Sequence, residues 1–252
     1  SISLIMSVSI IMPYFESEIF LEKTIRSIKN QNYQKWELII IDDENTKKSR
    51  KLLSKLKEKN KIKIYHNKKR IGAGLSRNKG IKKSKKKFIA FLDSDDLWKK
   101  DKLRYQIKEM NKRKLDFCFT GYECLNEKGK KLYKVKAEKS LNYNNLLSAC
   151  NIACSSVMLK RKIFKKVLFN NFKTKEDYSL WIKISKLEYK IGGVNKILTS
   201  YLSRSSSLSS KHFNKIINAF MIYKKENNFS IFFSFYCVGR LYFNAFKKKF
   251  FK

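Results

Sequence analysis

Apolar runs alternate with segments of helical periodicity through the first half of the chain. Four short runs rich in β-branched and aromatic residues predict buried strands at 8–12, 36–41, 62–66 and 87–92. Segments between and after these runs predict helices at 18–31, 46–59, 72–84 and 99–113. Such alternation is typical of βαβ units, so we expect an α/β fold with a mostly parallel central sheet flanked by helices.

The pattern changes after residue 115. The segment 116–135 predicts two strands around a turn at 126–129. A further apolar run predicts a strand at 154–160, and a segment with acidic residues in its first turn predicts a helix at 175–187. The sequence shows no internal repeat and no low-complexity linker.

The composition favours a globular protein. Of the 252 residues, 43% are hydrophobic, which argues against disorder despite a charged content of 31%. The five cysteines are an odd number without a CxxC pair, and only two histidines accompany them. This pattern does not support structural zinc, and we expect reduced thiols in a cytoplasmic protein.

The net charge is +37, and 49 of the 58 basic residues are lysine. The lysine excess has two open explanations, the codon bias of an AT-rich genome and selection for a polyanionic partner. In either case the surface should attract anionic membranes, lipid-linked phosphates and nucleotides in a salt-dependent way. No apolar run reaches the roughly 18 residues of a membrane span, and the start of the sequence lacks the basic region of a signal peptide, so we expect neither.

An aspartate cluster follows the strand predicted at 87–92. Asp93, Asp95 and Asp96 lie within four positions, where carboxylates repel one another unless a cation lies between them. Two carboxylates in an Asp-x-Asp turn can bind one Mg²⁺ or Mn²⁺, whose shell is typically completed by phosphate oxygens. We therefore assign Asp95 and Asp93 as metal ligands, whereas Asp96 has the simpler interpretation of a cap for a helix that starts near residue 98.

Other polar or aromatic segments also follow predicted strands. Pro13, which we expect to end the first strand, precedes Tyr14 and Phe15, and Asp42-Asp43 follow the second strand. Ligands of parallel sheets bind at the carboxyl ends of the strands. We therefore expect these segments and the aspartate cluster to share one edge of the sheet.

Two further features each allow two interpretations. Gly72 and Gly74 lack the third glycine of a dinucleotide fingerprint, so a tight turn explains them about as well as a phosphate loop does. Arg77, near the start of the same predicted helix, does not serve the helix dipole and favours an anionic ligand or a base carbonyl. Glu176 and Asp177 either stabilise a helix N-terminus or include a general base for a hydroxyl group.

Together these motifs resemble family 2 glycosyltransferases with the GT-A fold. The motifs that carry the resemblance are VSIIMP with its aromatic pair, WELIIIDD, GAGLSRNKGI, KFIAFLDSDDLW, the SSVM strand and EDYSLW. They extend from about residue 7 to residue 211, and their occurrence in the family's order makes the resemblance specific. It implies a Rossmann-like GT-A fold with a helical C-terminal extension.

The resemblance implies a nucleotide site near the start of the chain. Pro13, Tyr14 and Phe15 would lie along the nucleotide, with Phe15 against the uracil. Asp43 would accept a hydrogen bond from the uracil ring nitrogen, and Arg77 would lie near the base.

The resemblance also implies the reaction. Asp95 would bind a Mn²⁺ or Mg²⁺ ion that bridges the two donor phosphates, and Asp93 would lie near the ribose or the metal. Asp177 would be the catalytic base of an inverting transfer, with Glu176 as its neighbour or substitute. The expected reaction moves a hexose-type sugar (Gal, Glc or an N-acetylated equivalent) from a UDP-sugar to a hydroxyl of an oligosaccharide or lipid-linked glycan. Lipooligosaccharide, capsule or O-antigen assembly in a bacterium is the expected setting.

Three parts follow from this assignment. Residues 1–115 would bind the nucleotide sugar, 116–210 would bind the acceptor and carry the base, and 211–252 would form a basic aromatic helical tail. The tail fits either an interfacial helix on an anionic membrane or a core-packing helix with exposed lysines. The first alternative would make the protein peripheral at the inner face of the bacterial inner membrane. We expect no nucleic-acid partner.

The sequence departs from the family pattern at several positions. Glu16 stands where the family usually has Asn, and Glu44-Asn45 stand where it usually has Gly-Ser. The family's late arginine is displaced to Arg204, in a Ser-rich segment at 203–212. We expect this segment to close over the diphosphate through Arg204, Lys211 or His212.

Two other functions compete with the enzyme hypothesis. A nucleic-acid-binding protein would explain the charge, but acids at the ligand edge would repel phosphate in the absence of a metal. A non-catalytic relative that only binds nucleotide sugar would explain the departures at Glu16 and Glu44.

Overall fold

The structure, a computed structural model, describes residues 6–59, 61–204 and 212–250, the last of these with side chains only at 214–246. The described strands are β1 (Val8–Tyr14), β2 (Trp36–Asp42), β3 (Ile62–His66), β4 (Phe88–Phe91), β5 (Leu97–Trp98), β6 (Phe117–Asn126), β7 (Lys131–Val135), β8 (Val157–Lys160) and β9 (Ile191–Ser203). The described α-helices are α1 (Glu18–Lys29), α2 (Lys47–Ser54), α3 (Ala73–Lys83), α4 (Lys102–Lys112), α5 (Tyr143–Ser148), α6 (Glu176–Lys186), α7 (His212–Met221) and α8 (Ile231–Phe250).

One mixed sheet runs through the described part of the chain in the order β3-β2-β1-β4-β8-β6-β9-β5, with β7 paired to β6. Strands β1 to β4 are parallel to one another. Strand β8 is antiparallel to both β4 and β6, and β9 returns parallel to β6. The carboxyl ends of β1, β2 and β4 therefore lie side by side at one edge, as expected.

The sheet separates two apolar layers. Side chains of β1 and β2 are buried at every position, as is usual for parallel strands covered by helices on both faces. Ile10 and Met12 pack toward α1 and α4, whereas Ile11 packs toward α3 and α6. This alternation follows from the two-residue period of a strand.

The predicted strands and helices of the first half are confirmed, with two corrections. Pro13 does not end β1, because the strand continues to Tyr14 along β2 after its pairing with β4 has ended at Ile11. No helix starts near residue 98, because Leu97–Trp98 form β5 against β9 and α4 begins at Lys102. The prediction that Asp96 caps a helix is therefore wrong.

The second half was predicted less completely. Strands β6, β7 and β8 and helix α6 lie where the sequence predicts them, but neither β9 nor α5 was predicted. The two halves share one sheet, since β8 pairs with β4 from the first half and with β6 from the second. The division at residues 115 and 210 stays a prediction.

Helices α7 and α8 form the expected C-terminal helical extension. Their inner residues Ala219, Cys237, Val238 and Leu241 join the apolar layer that also contains α6. None of the helices in the described ranges combines the length and the apolar composition that a bilayer crossing demands.

Candidate active site

The edge formed by β1, β2 and β4 gathers most of the predicted nucleotide residues. The Asp43 N–H donates to Tyr14 O at 2.9 Å, which ties the ends of β2 and β1 together. Pro13 and Tyr14 are buried, and burial, followed by the charge of Glu44, raises the pKa of the Tyr14 hydroxyl to about 12. Of the three residues expected along a nucleotide, Phe15 alone has a partly exposed side chain.

Phe15 is already covered on one side by a cation. The Arg70 guanidinium carbon lies 3.7 Å from the Phe15 ring centroid, within the range of a cation–π contact. Arg70 was not predicted as a site residue, and a lone arginine in a lysine-rich loop carries no signal that singles it out. A base that stacks on Phe15 would therefore use its other face or displace Arg70.

Asp43 organises the loop before α3. Its carboxylate accepts hydrogen bonds from Asn67 Nδ2, Ile71 N and Gly72 N, each at 2.8 Å. Gly72 has φ +89°, a left-handed conformation that glycine adopts without strain. The buried carboxylate thus shapes the predicted glycine turn, and its expected contact with a uracil stays a prediction.

The aspartate turn after β4 is held by three separate segments. The Asp93 N–H donates to Ser155 Oγ at 3.0 Å, and Ser94 Oγ lies 2.5 Å from Ser17 Oγ. Asp96 Oδ1 accepts from Leu202 N at 2.8 Å, which is the contact it makes in place of the predicted helix cap. Ser155 belongs to the SSVM motif, but its role in fixing this turn depends on long-range packing and was not predicted.

The carboxylates of this turn are electrostatically strained. Burial, together with the charge of Asp93, raises the pKa of Asp95 to about 6, although Arg204 opposes the shift. Burial and the charges of Asp95 and Asp93 also raise the pKa of Asp96. Asp96 Oδ2 is buried and has no hydrogen-bond partner among the described residues. The turn is therefore short of positive charge.

Arg204 supplies part of that charge. Its Nε lies 3.0 Å from Asp95 Oδ2 as an ion pair without hydrogen-bond geometry, and its Nη1 donates to Glu16 O at 3.0 Å. Arg204 thus lies at the aspartate turn, and its expected contact with a diphosphate stays a prediction. Of the other two predicted loop residues, Lys211 and the side chain of His212 lie outside the described residues.

Asp93 and Asp95 fit a hard divalent cation. No group of three or more His, Cys, Asp or Glu side chains in the described ranges is arranged to hold a metal alone. Mg²⁺ and Mn²⁺ commonly take one or two carboxylates and complete their shell with phosphate oxygens and water. Two oxygen donors and the unsatisfied charge of the turn match that requirement.

Arg77 connects the aspartate turn to α6. Its Nη2 donates to Asp93 Oδ1 at 2.6 Å and its Nη1 donates to Glu176 Oε1 at 2.8 Å. Burial works against the charge of this 3% exposed guanidinium, but Asp93 and Glu176 raise its pKa above the usual value. The structure therefore places Arg77 between two carboxylates, and its expected position near the base stays a prediction.

Glu176 and Asp177 open α6 beside this bridge. Burial, with Asp177 adding to the effect and Arg77 opposing it, raises the pKa of Glu176 to about 7. Burial also raises the pKa of Asp177, whose Oδ1 accepts from Tyr178 N at 2.7 Å. Carboxylates with raised pKa values at a ligand edge suit proton transfer near neutral pH.

Arg204 also lines an acidic cleft of about 390 Å³. Its charged lining residues are Glu16, Glu18, Lys48, Glu44, Glu127 and Arg204. The departures at Glu16 and Glu44 therefore line a cavity next to the aspartate turn. Glu16 N donates to Glu44 Oε2 at 3.2 Å, so the two segments that differ from the family pattern contact each other.

A family model described as "Glycosyl transferase family 2" matches residues 9–168. Over 244 residues the chain is 31% identical to the putative teichuronic acid biosynthesis glycosyltransferase TuaG of Bacillus subtilis (strain 168), which covers 96% of this chain and 97% of that protein. Over 211 residues it is 36% identical to the Escherichia coli UDP-Glc:alpha-D-GlcNAc-diphosphoundecaprenol beta-1,3-glucosyltransferase WfgD, covering 83% of this chain and 82% of that protein.

Among solved structures, the chain is similar to residues 1–349 of S. aureus TarS with a TM-score of 0.70 and 17% sequence identity. The match covers 93% of this chain and 70% of that one. At this identity the likeness concerns the fold alone, and it confirms the expected GT-A fold.

Proposed function

The chain belongs to glycosyl transferase family 2, and on that premise we propose that it is a metal-dependent, inverting hexosyltransferase that uses a UDP-sugar. The acceptor in this proposal is a hydroxyl of an oligosaccharide or lipid-linked glycan. Its relatives include proteins named for teichuronic acid biosynthesis and for glucosyl transfer to a diphosphoundecaprenol-linked sugar. Those names support a role in bacterial surface-glycan assembly.

One observation carries the proposal. Arg77 joins Asp93, from the turn proposed to bind the donor, to Glu176, from the segment proposed to carry the base. These carboxylates are far apart in sequence and meet at one guanidinium. A displacement at a sugar carbon needs stabilisation of the leaving diphosphate and proton removal from the acceptor within one site.

On the donor side, Phe15 and Asp43 would contact the base, and Asp95 with Asp93 would hold Mn²⁺ or Mg²⁺. When bound, such an ion stabilises the negative charge that develops on the departing diphosphate. Arg204, which pairs with Asp95 here, would contact the diphosphate oxygens through its guanidinium.

On the acceptor side, Asp177 or its neighbour Glu176 would accept the proton of the attacking hydroxyl. Arg77 restrains Glu176 through Oε1, so Asp177 has the freer carboxylate and is our primary assignment for the base. Its second oxygen would receive the proton as the hydroxyl attacks the anomeric carbon on the face opposite the diphosphate.

The proposal also includes a location. An acceptor linked to a lipid diphosphate lies at a membrane surface, so we propose a cytoplasmic protein that binds peripherally at the inner face of the bacterial inner membrane. The name of the E. coli relative, which specifies UDP-Glc and a diphosphoundecaprenol-linked acceptor, supports this location and the UDP-sugar donor.

The test is thermal stabilisation of the purified protein by a panel of UDP-sugars with Mn²⁺ or Mg²⁺, followed by a transfer assay. A ligand that binds only the folded state raises the unfolding temperature. Asp95→Ala should lose the metal-dependent part of the stabilisation. Asp177→Asn should keep donor stabilisation and reduce transfer by roughly 100-fold or more, the scale of general-base catalysis.

Asp101→Asn is the matched control, because Asp101 lies outside the site and hydrogen-bonds Asn32 through Oδ1. It should behave like the parent protein in both assays. Full transfer activity in Asp177→Asn would remove that residue from the base role and direct the same test to Glu176→Gln. No shift with any nucleotide sugar, but a shift with DNA or RNA, would overturn the enzyme proposal.

A further inference from the structure

Helix α8 has apolar residues on two opposite faces. Its inner face packs on the domain through Ser234, Cys237, Val238 and Leu241, which are all buried. Its outer face exposes a set of large aromatic side chains: Phe232 (88%), Phe235 (61%), Tyr236 (60%), Phe243 (57%) and Phe246 (54%). A soluble helix normally places polar residues on the outer side, so this arrangement needs an explanation.

The exposed aromatics form one stripe. Their positions follow the three-, four- and seven-residue spacings that bring side chains to the same face of a helix. From Phe232 to Phe246 the stripe extends about 20 Å at 1.5 Å per residue. Gly239 falls on the same face, and a Cβ there would meet no described atom within 4 Å. Contiguous apolar surface of this size marks an interaction site.

The basic residues of this segment indicate what kind of partner would bind the stripe. Residues 227–252 contain five Lys or Arg and no Asp or Glu, and three of the lysines are consecutive at 247–249. A second copy would bring the same cationic helix from a chain of net charge +37, and like charges oppose that association. Aromatic rings next to lysines instead match the interface of an anionic bilayer, where rings lie at headgroup depth and lysines contact phosphates.

The helix is also fixed relative to the candidate active site. Asn244 Nδ2 donates to Ser148 O at 2.9 Å, and the Lys175 Nζ lies 5.4 Å from the Tyr242 ring centroid. Lys175 directly precedes Glu176 and Asp177. Helix α8 therefore lies next to the start of α6.

We infer that the outer face of α8 is a docking surface for anionic phospholipid membrane. The aromatic stripe enters the headgroup region and basic residues of the same segment contact lipid phosphates. The docking follows from the exposed residues themselves. Its consequence, that a lipid-linked acceptor reaches Asp177 from the membrane, rests on the function proposed above.

The experiment is vesicle flotation of the full chain with phosphatidylcholine vesicles, with and without phosphatidylglycerol. A variant with Phe232→Gln, Tyr236→Gln and Phe243→Gln removes apolar area from the stripe and leaves every charge in place. Its partition coefficient onto phosphatidylglycerol vesicles should fall at least about tenfold, since each ring loses part of a favourable transfer free energy. Binding of the parent protein should weaken with salt, because lysine–phosphate attraction is screened.

The matched control replaces three exposed apolar residues elsewhere, Ile19→Gln, Leu132→Gln and Leu187→Gln, and should bind vesicles like the parent. Phe232→Gln alone, at the most exposed position of the stripe, should give a smaller loss of the same sign. Circular dichroism checks that each variant is folded.

Three results would overturn the inference. They are unchanged binding in the triple variant, equal binding of the parent to neutral vesicles, and a parent dimer that the triple variant converts to a monomer. Stabilisation of the same triple variant by UDP-sugar, measured without vesicles, tests the proposed function separately. Loss of docking with intact nucleotide binding, or the reverse, therefore distinguishes the two proposals.

Discussion

Arg77 is the residue on which the two halves of the candidate site depend. Its guanidinium is 3% exposed, its two Nη atoms bind Asp93 and Glu176, and its Nε is buried with no hydrogen-bond partner in the described part of the chain. Two partly buried carboxylates can both bind this residue because a delocalised cation that keeps its charge lies between them. Lysine, a single point charge, would not reproduce two separate contacts.

Replacing Arg77 should therefore destabilise the protein, by an amount that depends on whether Asp93 and Glu176 are charged. Arg77→Met should lower the free energy of unfolding by about 3–5 kcal/mol, because it leaves two partly buried carboxylates without their cation. Adding Asp93→Asn and Glu176→Gln to that variant should restore most of the loss, since the carboxylates then carry no charge. Urea denaturation near pH 7 measures each free energy.

Arg26→Met provides the control, because Arg26 pairs with Glu22 at 2.9 Å while both side chains are well exposed. Its cost should stay below about 1 kcal/mol, as for other surface pairs. If Arg77→Met cost no more than Arg26→Met, the bridge would contribute nothing to stability.

At the scale of elements, what the sequence predicts follows from the range of the interactions. Strands β1 to β4 were predictable because buried parallel strands are apolar at consecutive positions, and the acids after them were predictable as the ends of those runs. Strand β9 was not predictable, because its glycines are required by close contacts with segments that are distant in sequence. A Cβ at Gly192 would lie 2.9 Å from Lys139 O, a backbone atom far away in the sequence.

The site divides in the same way. The residue types and the shared edge were predictable, but their partners were not. Ser155, from a distant segment, accepts a hydrogen bond from the Asp93 N–H. The Leu202 N–H donates to the carboxylate of Asp96, which was expected to cap a helix. These pairings depend on the sheet order β4-β8-β6-β9, which no single segment specifies.

Helix α4 has a lysine buried in its first turn, which makes the stability of the protein depend on pH. Lys102 Nζ donates to Gln106 Oε1 at 2.7 Å and lies 4.0 Å from the Trp98 ring centroid. Burial lowers the pKa of Lys102 from 10.5 to about 7. Since the unfolded chain binds this proton up to a higher pH than the folded chain does, the contribution of Lys102 to stability is lost as pH falls from about 10 toward 7.

Lys102→Met should remove that pH dependence. The stability of the parent relative to the variant should rise by on the order of 3 kcal/mol between pH 7 and pH 10. Urea unfolding of both proteins across this range is the measurement. Lys108→Met, at an exposed position of the same helix, should run parallel to the parent, and a parallel course for Lys102→Met would show that the amine is not buried in solution.

At the scale of the whole molecule, the charge imbalance outweighs the individual ion pairs. Exposed pairs such as Lys48 with Glu18, at 2.7 Å, engage some of the 21 acidic residues. The net charge of +37 means that most Lys and Arg side chains have no acidic counterpart, and they repel one another across the folded surface. Salt weakens both effects, and the larger one determines the direction of the net change.

We expect the repulsion among excess positive charges to be the larger effect, so the urea midpoint of unfolding should rise with added KCl. The rise should be steepest below about 0.15 M, because the screening length shortens there from about 30 Å to about 8 Å. Urea is uncharged and does not screen. Potassium sulfate at equal ionic strength is the comparison: an equal rise indicates screening of the whole surface, and a larger rise indicates an added effect of sulfate, through anion binding or through exclusion from the protein surface. A midpoint that falls with salt would mean that local ion pairs such as Lys48–Glu18 outweigh the net repulsion. A rise of the midpoint in both salts would instead indicate long-range repulsion among the lysines of the folded chain, and the same excess positive charge attracts anionic partners.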